Sequence, residues 1–377
     1  MARIQQFYKG RRKGRNYLFI PFVVLLALIS IIMVTFYSLQ KYAVVTKDSV
    51  TIELPILKDK NVTIDAQGNE VPVFEPVDVE LVMGQPDYSY LEPIAGKEVK
   101  PMRAIFVPYT DLNHEKLKEY AARLNDGNAL LLEMKPRSGQ LMWNSTAELA
   151  QAYGLSMATE QTNSMPGWIK ELKDQDIYLG AQISCCLDSM LASRTNTVSI
   201  KTELGVPYQD DKGLWLDPYS AQLRDYIAQL CEELFALGFD EVVLADVAHP
   251  VLEEPKPLMY NGEISAQRST VLGVCGFALD VARQLEDREG LLSIYCDTRP
   301  ALVRPDESNG QDARMFMKLY DRVYIRTDTS AYPYNVSDIE SAVSIGSVND
   351  RLMPVVENYI PRDNSSWILI DVEEEDD

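Results

Sequence analysis

From residue 101 onward, short apolar runs alternate with amphipathic stretches, and few folds accept that order. MRAIFVPY (102–109), NALLLEMK (128–135), IYLGAQISCC (177–186), DEVVLADVA (240–248), LLSIYCD (291–297), RVYIRTD (322–328), LMPVVE (352–357) and SWILIDV (366–372) read as strands. Most are continuous apolar runs, the pattern of parallel strands covered on both faces. Between them, HEKLKEYAARLN (114–125) sets Leu117, Tyr120, Ala121 and Leu124 on one stripe, and residues 159–173, 266–286 and 312–320 also read as helices. The clearest helix, PYSAQLRDYIAQLCEELFALG (218–238), closes on Gly238 as a C-cap. Eight strands alternating with helices in about 275 residues predict an α/β chain folded as a (β/α)8 TIM-type barrel. An open doubly wound sheet is the alternative, but no GxGxxG follows an early strand.

The first hundred residues follow different rules. Residues 17–39, YLFIPFVVLLALISIIMVTFYSL, carry no charge. Residues 1–16 hold Arg3, Lys9, Arg11, Arg12, Lys13 and Arg15 with no acid. At about 1.5 Å per residue, a helix of that length crosses the roughly 30 Å of bilayer hydrocarbon. A cleaved signal peptide would carry a shorter apolar region, about 7–15 residues, and a small-x-small site after it. Here the run is longer and leads into Gln40, Lys41 and Tyr42. The expectation is a retained single-pass anchor in the cell membrane, with the basic head cytoplasmic and the main domain extracytoplasmic. Residues 40–100, with prolines at 55, 72, 76, 86 and 93, read as an extended stalk in which a short strand pair can form. The barrel is then expected over 101–377, ending in an acidic tail, EEEDD.

The chain has 36 basic and 56 acidic residues, for a net charge of −20. Removing the six basic residues of the head leaves 30 against 56, or −26, on the exported part. That balance excludes a nucleic-acid partner, which needs a basic footprint, and serves solubility. Five cysteines, with Cys185 and Cys186 adjacent and the others in apolar segments, read as buried free thiols. With two histidines and no CxxC or HxxxH, no structural zinc site is expected, and no metal or cofactor.

In a (β/α)8 barrel, chemistry sits at the C-terminal ends of the strands. Those ends carry Glu133, Asp188, Asp246, Asp297, Asp328, Glu357 and Asp371. Carboxylates converging at one mouth suit glycosidic cleavage, where one protonates the leaving oxygen and another attacks or activates water. Strand ends are also solvent-facing, so acids there can simply be solvated. Trp143, Trp215 and nearby tyrosines offer flat faces to sugar rings.

The run GLWLDPYSAQLRDYIAQLCEELFALGFDEVVLADVAHP (213–250) resembles the hallmark of a bacterial family of putative glycosyl hydrolases, domain of unknown function 4015. Trp215, Asp217, Pro218, Tyr219, Gly238, Phe239, Asp240, Glu241 and Pro250 match in order. LLLEMKPRSGQLMW (130–143) and DIYLGAQISCCLDSMLASR (176–194) resemble two further family segments. The resemblance implies a glycosidase-like barrel acting on polysaccharide or cell-wall glycan. It departs where the family carries its acids: the strand Asp falls on Ala245 and the following Arg on Ala248. An acidic pair becomes Pro136 and Arg137, and another Arg becomes Gln182.

Asp246 lies one position late, and a one-residue shift turns a strand side chain to the other face unless a bulge restores it. The expected catalytic candidates are therefore Asp246 or Glu133 as nucleophile or base, with Asp297 or Asp328 as partner acid. Lys135, Asp188, Trp215, Tyr219, His249 and Glu357 are expected to bind substrate. Asp217 has a second reading as the N-cap of the long helix, with Pro218 at its first position. The lost Asp and Arg favour an altered or degenerate site; an active hydrolase is the alternative.

Overall fold

The computed structural model describes residues 25–34, 43–45, 50–52, 62–64, 70–72, 91–94, 97–124, 128–156, 159–252, 257–260, 263–264, 269–297, 300–326, 351–357 and 366–370. The chain divides into two compact units, residues 1–83 and 84–377.

In the first unit residues 25–34 are helical, with Leu25, Ile29, Ile32 and Val34 exposed. The rest of the expected anchor, 17–24 and 35–39, lies outside the described residues. Among the described residues no helix is long and apolar enough to cross a membrane. Two antiparallel strand pairs follow, 43–45 with 50–52 and 62–64 with 70–72.

The second unit is built on eight parallel strands: β1 Arg103–Val107, β2 Ala129–Lys135, β3 Tyr178–Ser184, β4 Glu241–Ala245, β5 Leu291–Cys296, β6 Arg322–Arg326, β7 Leu352–Glu357 and β8 Trp367–Ile370. Each pairs with its neighbours in sequence, and β8 pairs with β1, so the sheet closes. The helices are α1 His114–Ala122, α2 Glu148–Tyr153, α3 Glu160–Lys173, α4 Ser189–Arg194, α5 Ala221–Leu237, α6 Thr270–Gln284, α7 Pro300–Val303 and α8 Ala313–Leu319. Closure excludes the doubly wound sheet.

This unit takes in residues expected in the stalk. The Ile94 amide donates to the Lys318 carbonyl at 2.9 Å, and Lys97 Nζ donates to the Gly290 carbonyl at 2.8 Å. Residues 91–94 and 97–100 therefore belong with the barrel. They tie its lower rim to α8 and to the turn before β5.

Alternation along the strands sorts the core into two shells. Met102, Ala104, Ala129, Leu131, Val243, Tyr295, Tyr324, Met353 and Ile368 pack inside the barrel. Their neighbours Leu130, Leu179, Val242, Leu244, Leu292 and Val323 pack outward with helix residues such as Ile227, Leu230, Phe277 and Phe316. All five cysteines are free and buried.

The long helix starts later than its sequence implies. Ser220, not Asp217, is its N-cap and accepts from the Leu223 amide at 3.3 Å. Asp217 instead accepts from the Tyr219 amide at 2.9 Å, holding the turn that leads into the helix. Gly238 ends the helix at φ +105°, as expected.

At the N-terminal end the barrel interior is charged. Glu241 of β4 and Arg322 of β6 form an ion pair with no exposed side-chain surface. Tyr178 of β3 donates to Glu241 Oε2 at 2.9 Å, while Ser293 of β5 and Tyr324 of β6 donate to Oε1 at 2.5 and 2.8 Å. Burial and the Glu241 charge drive the phenols of Tyr178 and Tyr324 well above their ordinary range, so they remain donors. Four consecutive strands thus converge on one carboxylate.

Breaking a buried pair leaves an uncompensated charge. Glu241→Leu and Arg322→Leu should each lower unfolding stability by about 3–5 kcal/mol, and the double variant by at least ~1 kcal/mol less than their sum. Urea unfolding followed by near-ultraviolet circular dichroism reads this; strictly additive losses would refute the pairing.

Candidate functional site

β2 delivers the first group to the mouth. Its interior face runs Ala129, Leu131, Glu133, and Glu133 Oε2 accepts from the Tyr109 amide at 3.1 Å. A register shift between Glu133 and Lys135 then sets one extra residue against β3, since Glu133 pairs with Gln182 and Lys135 with Ile183. Such a bulge reverses the facing of the residues beyond it. Lys135 turns away from the mouth and is fully buried, with Nζ donating to the Ser184 carbonyl at 2.6 Å and lying 2.9 Å from Asp188 Oδ2.

Asp188 is also fully buried, and its Oδ1 accepts from the Leu191 amide at 2.7 Å, capping α4. The two residues expected to bind substrate instead bind each other. Over them folds the turn Pro136–Gly139, with Gly139 at φ +90°. A Cβ at Gly139 would lie 1.8 Å from Asp188 Oδ1.

β4 delivers the second group. Val243 and Ala245 face the interior, so the position expected to hold an acid holds a methyl group. Asp246 comes directly after, at φ +54°, one of two non-glycine residues with positive φ among those described. That left-handed turn stands in for a bulge and keeps the carboxylate at the rim. Arg137, from the turn after β2, grips it: Nε lies 3.0 and 3.1 Å from the two carboxylate oxygens, and Nη2 lies 2.6 Å from Oδ1. Ser184 Oγ, at the end of β3, lies 2.7 Å from Oδ2.

The hydrogen bond to Asp246 raises the Arg137 guanidinium above its usual range, and the charges of Asp297 and Glu133 add to that. Arg137 is thus the cation shared by three acids. Its place in the sequence showed a departure from the family pattern, but nothing there revealed that it would pair with Asp246, 109 residues away. A left-handed residue held by a bidentate pair is the kind of outlier that gathers at functional sites.

The third group is Asp297, an exposed residue just past β5. Buried Gln311 positions it: the Asp297 amide donates to Gln311 Oε1 at 2.7 Å, and Gln311 Nε2 donates to Asp297 Oδ2 at 2.9 Å and to the Val247 carbonyl at 3.1 Å. One amide side chain thereby splices the exits of β4 and β5. Glu357 ends β7 exposed, and Asp328 lies outside the described residues.

Trp215 is buried, 2% exposed, and its backbone pairs with Ile200 and Tyr208. Tyr219 is half-buried, and its hydroxyl donates to the Ser269 carbonyl at 2.5 Å. His249 is buried beside it, and burial pushes its imidazole down to about 3, so the ring is neutral. Among the described residues no group of three metal-ligating side chains converges. The cavity of about 900 Å³ between Lys100, Asp240, Arg288 and Arg322 opens at the other end of the strands, away from these carboxylates.

A closed eightfold barrel with acids grouped at its C-terminal rim defines a glycosyl-hydrolase-like domain. The chain belongs to the DUF4015 family, described as a putative glycosyl hydrolase domain, whose profile matches residues 104–344. Among solved structures it is similar to a hypothetical protein from Ruminiclostridium thermocellum, at 21% identity and a TM-score of 0.44 over 50% of this chain and 96% of that one. It is also similar to the PgaB (BpsB) glycoside hydrolase domain of Bordetella bronchiseptica, at 14% identity and 0.49 over 68% and 84%. The C-terminal domain of a putative chitinase from Desulfitobacterium hafniense shows 10% identity and 0.42 over 69% and 67%. No curated protein matches the chain.

The Gly139 turn offers a direct check on how tightly it packs over Asp188. Gly139→Ala should cost more than about 3 kcal/mol, because backbone strain and overpacking against a buried carboxylate combine. Adding Asp188→Ala removes the clash, so the double variant should lose less than the two single losses together. Thermal unfolding of the three variants measures this, and additive losses would sink it.

Proposed function

We propose that this chain is a membrane-anchored, extracytoplasmic barrel that holds polysaccharide at the cell envelope through an altered glycosidase mouth. The observation that carries the reading is the Asp246–Arg137 clamp beside Ala245. A glycosidase needs one carboxyl group able to give up a proton and a second, correctly spaced, to attack or to activate water. Asp246 spends both carboxylate oxygens on Arg137 and Ser184, which ties it to the rim instead of leaving it free to meet a leaving oxygen. The last interior position of β4, Ala245, carries no acid.

What remains is a polar rim of Glu133, Arg137, Asp297 and Glu357, rich in donors and acceptors for sugar hydroxyls. The anchor rests on the uncharged run 17–39, on the basic head before it, and on the exposed apolar helix at 25–34. The same rim supports a second reading, because Asp297 is exposed and gripped by Gln311 while Glu133 projects from β2. With Asp297 as acid and Glu133 or Asp246 as nucleophile or base, the mouth would hydrolyse its glycan.

The full chain in detergent micelles, incubated with a panel of cell-wall and storage polysaccharides, separates the two. Retention on an insoluble polysaccharide with no new reducing ends is the expected result, and Arg137→Ala should weaken that retention. Reducing ends that appear with wild type and vanish in Asp246→Asn or Glu133→Gln would establish the hydrolase instead. Neither retention nor cleavage on any polymer would overturn both.

A further inference from the structure

Beside the mouth lies a cavity of about 270 Å³ whose wall includes His249, Tyr219, Tyr260, Leu252, Thr270 and Glu307. Its two sides are the exits of β4 and β5. His249 stands three residues beyond Asp246, and its amide donates to the Asn309 carbonyl at 2.8 Å, two residues before Gln311. The loop that fixes Asp297 therefore also bounds this cavity.

His249 is 2% exposed, and neither of its ring nitrogens has a hydrogen-bond partner among the described residues. Leaving a buried polar atom unpaired is costly, so two on one ring need a physical cause. The ring is closely enclosed. Tyr260 meets it edge-on with centroids 5.0 Å apart, and Tyr219 lies tilted at 6.0 Å. Gly273 of α6 leaves the needed room, since a Cβ there would come within 2.7 Å of Tyr219 and 3.0 Å of His249 Nε2. Tyr219, which matches the family motif, is part of this wall, and Asp217 accepts from its amide.

The chemistry of the wall selects its occupant. A neutral imidazole offers one N–H donor and one lone pair, the complement of a hydroxyl group, which both gives and accepts. Tyrosine rings offer apolar faces. Among the described residues the wall contains no cation, and Glu307 disfavours an anion. The volume is below the roughly 300–1,000 Å³ of drug-sized sites, enough for a single ring.

We infer that this cavity is a side pocket for one uncharged sugar residue of the bound polysaccharide, packed beside Tyr219 and Tyr260, with the His249 ring turning its nitrogens to the sugar hydroxyls. This deepens the glycan-holding reading and rests on it.

The test uses the full chain in micelles with 15N-labelled histidine, titrated with the methyl glycosides of glucose, galactose and N-acetylglucosamine. At least one should shift the His249 ring resonances saturably, while methyl glucuronide should not. His249→Phe, which keeps an aromatic ring in the space, should weaken binding of that sugar about tenfold, the loss of one or two hydrogen bonds. His249→Gln, which restores a donor and an acceptor, should recover part of it.

A His249 resonance that ignores every uncharged sugar, as it would if water occupied the cavity, overturns the inference even where polysaccharide is retained. Equal binding by wild type and His249→Phe overturns it as well. If no polysaccharide is retained and no sugar shifts the ring, the glycan reading itself has failed.

Discussion

One carboxylate at the floor of the barrel sets the terms for the rest of the molecule. Glu241 is fully buried, and a lone charge there would cost several kcal/mol. Its compensation comes from β3, β5 and β6, through Tyr178, Ser293, Tyr324 and Arg322. Those partners reach it only if four strands hold one stagger, so the network opposes any register slip that apolar packing alone would tolerate. Arg322 also donates to the Lys100 carbonyl, which draws the segment before β1 onto the same floor. With the floor fixed, the heights of the strand ends above it are fixed too.

Those heights explain why neighbouring acids meet different fates. The bulge after Glu133 turns Lys135 out of the mouth, and Asp188 joins it in the wall as its counter-ion and as a helix cap. Glu133 itself stays inside. Asp246 would have faced the helices had β4 continued as a strand. The left-handed turn at its own α-carbon brings it back to the rim, where Arg137 and Ser184 hold it. An aspartate tolerates that conformation better than most residues, and the bidentate pair supplies stabilisation that offsets the strain.

The architecture was largely legible in the sequence because it depends on periodicity. Eight apolar runs mark eight strands, and the described ends of all but β4 fall within about two residues of the runs that predict them. β4 stops at Ala245 because Asp246 leaves the extended region. That is a single-residue backbone event with no period to reveal it. The cap of α5 was misplaced for a similar reason. Asp217 and Ser220 are both good caps, and Asp217 is instead committed to the Tyr219 amide. At the mouth, Glu133, Asp246 and Asp297 could be picked out as acids at strand ends. Arg137 could not be assigned its role, since its partner is far along the chain. Gln311 left no signal at all, because a neutral amide that splices two loops looks like any surface glutamine.

The pattern of matches and departures carries its own argument about function. Where this chain keeps the family's residues, the structure mostly gives them scaffolding work. Glu241 closes the floor, Lys135 and Asp188 pair inside the wall, Asp217 holds the turn before α5, and Gly238 ends that helix. The departures expected from the family resemblance fall at the mouth, with Ala245 in place of an acid, Pro136 and Arg137 in place of an acidic pair and Gln182 in place of an arginine. Here the replaced positions fit one another: Arg137 answers Asp246, and the charges of Asp297 and Glu133 reinforce it. Under the proposed glycan-holding function, that internal consistency is what a mouth built to hold its ligand would need.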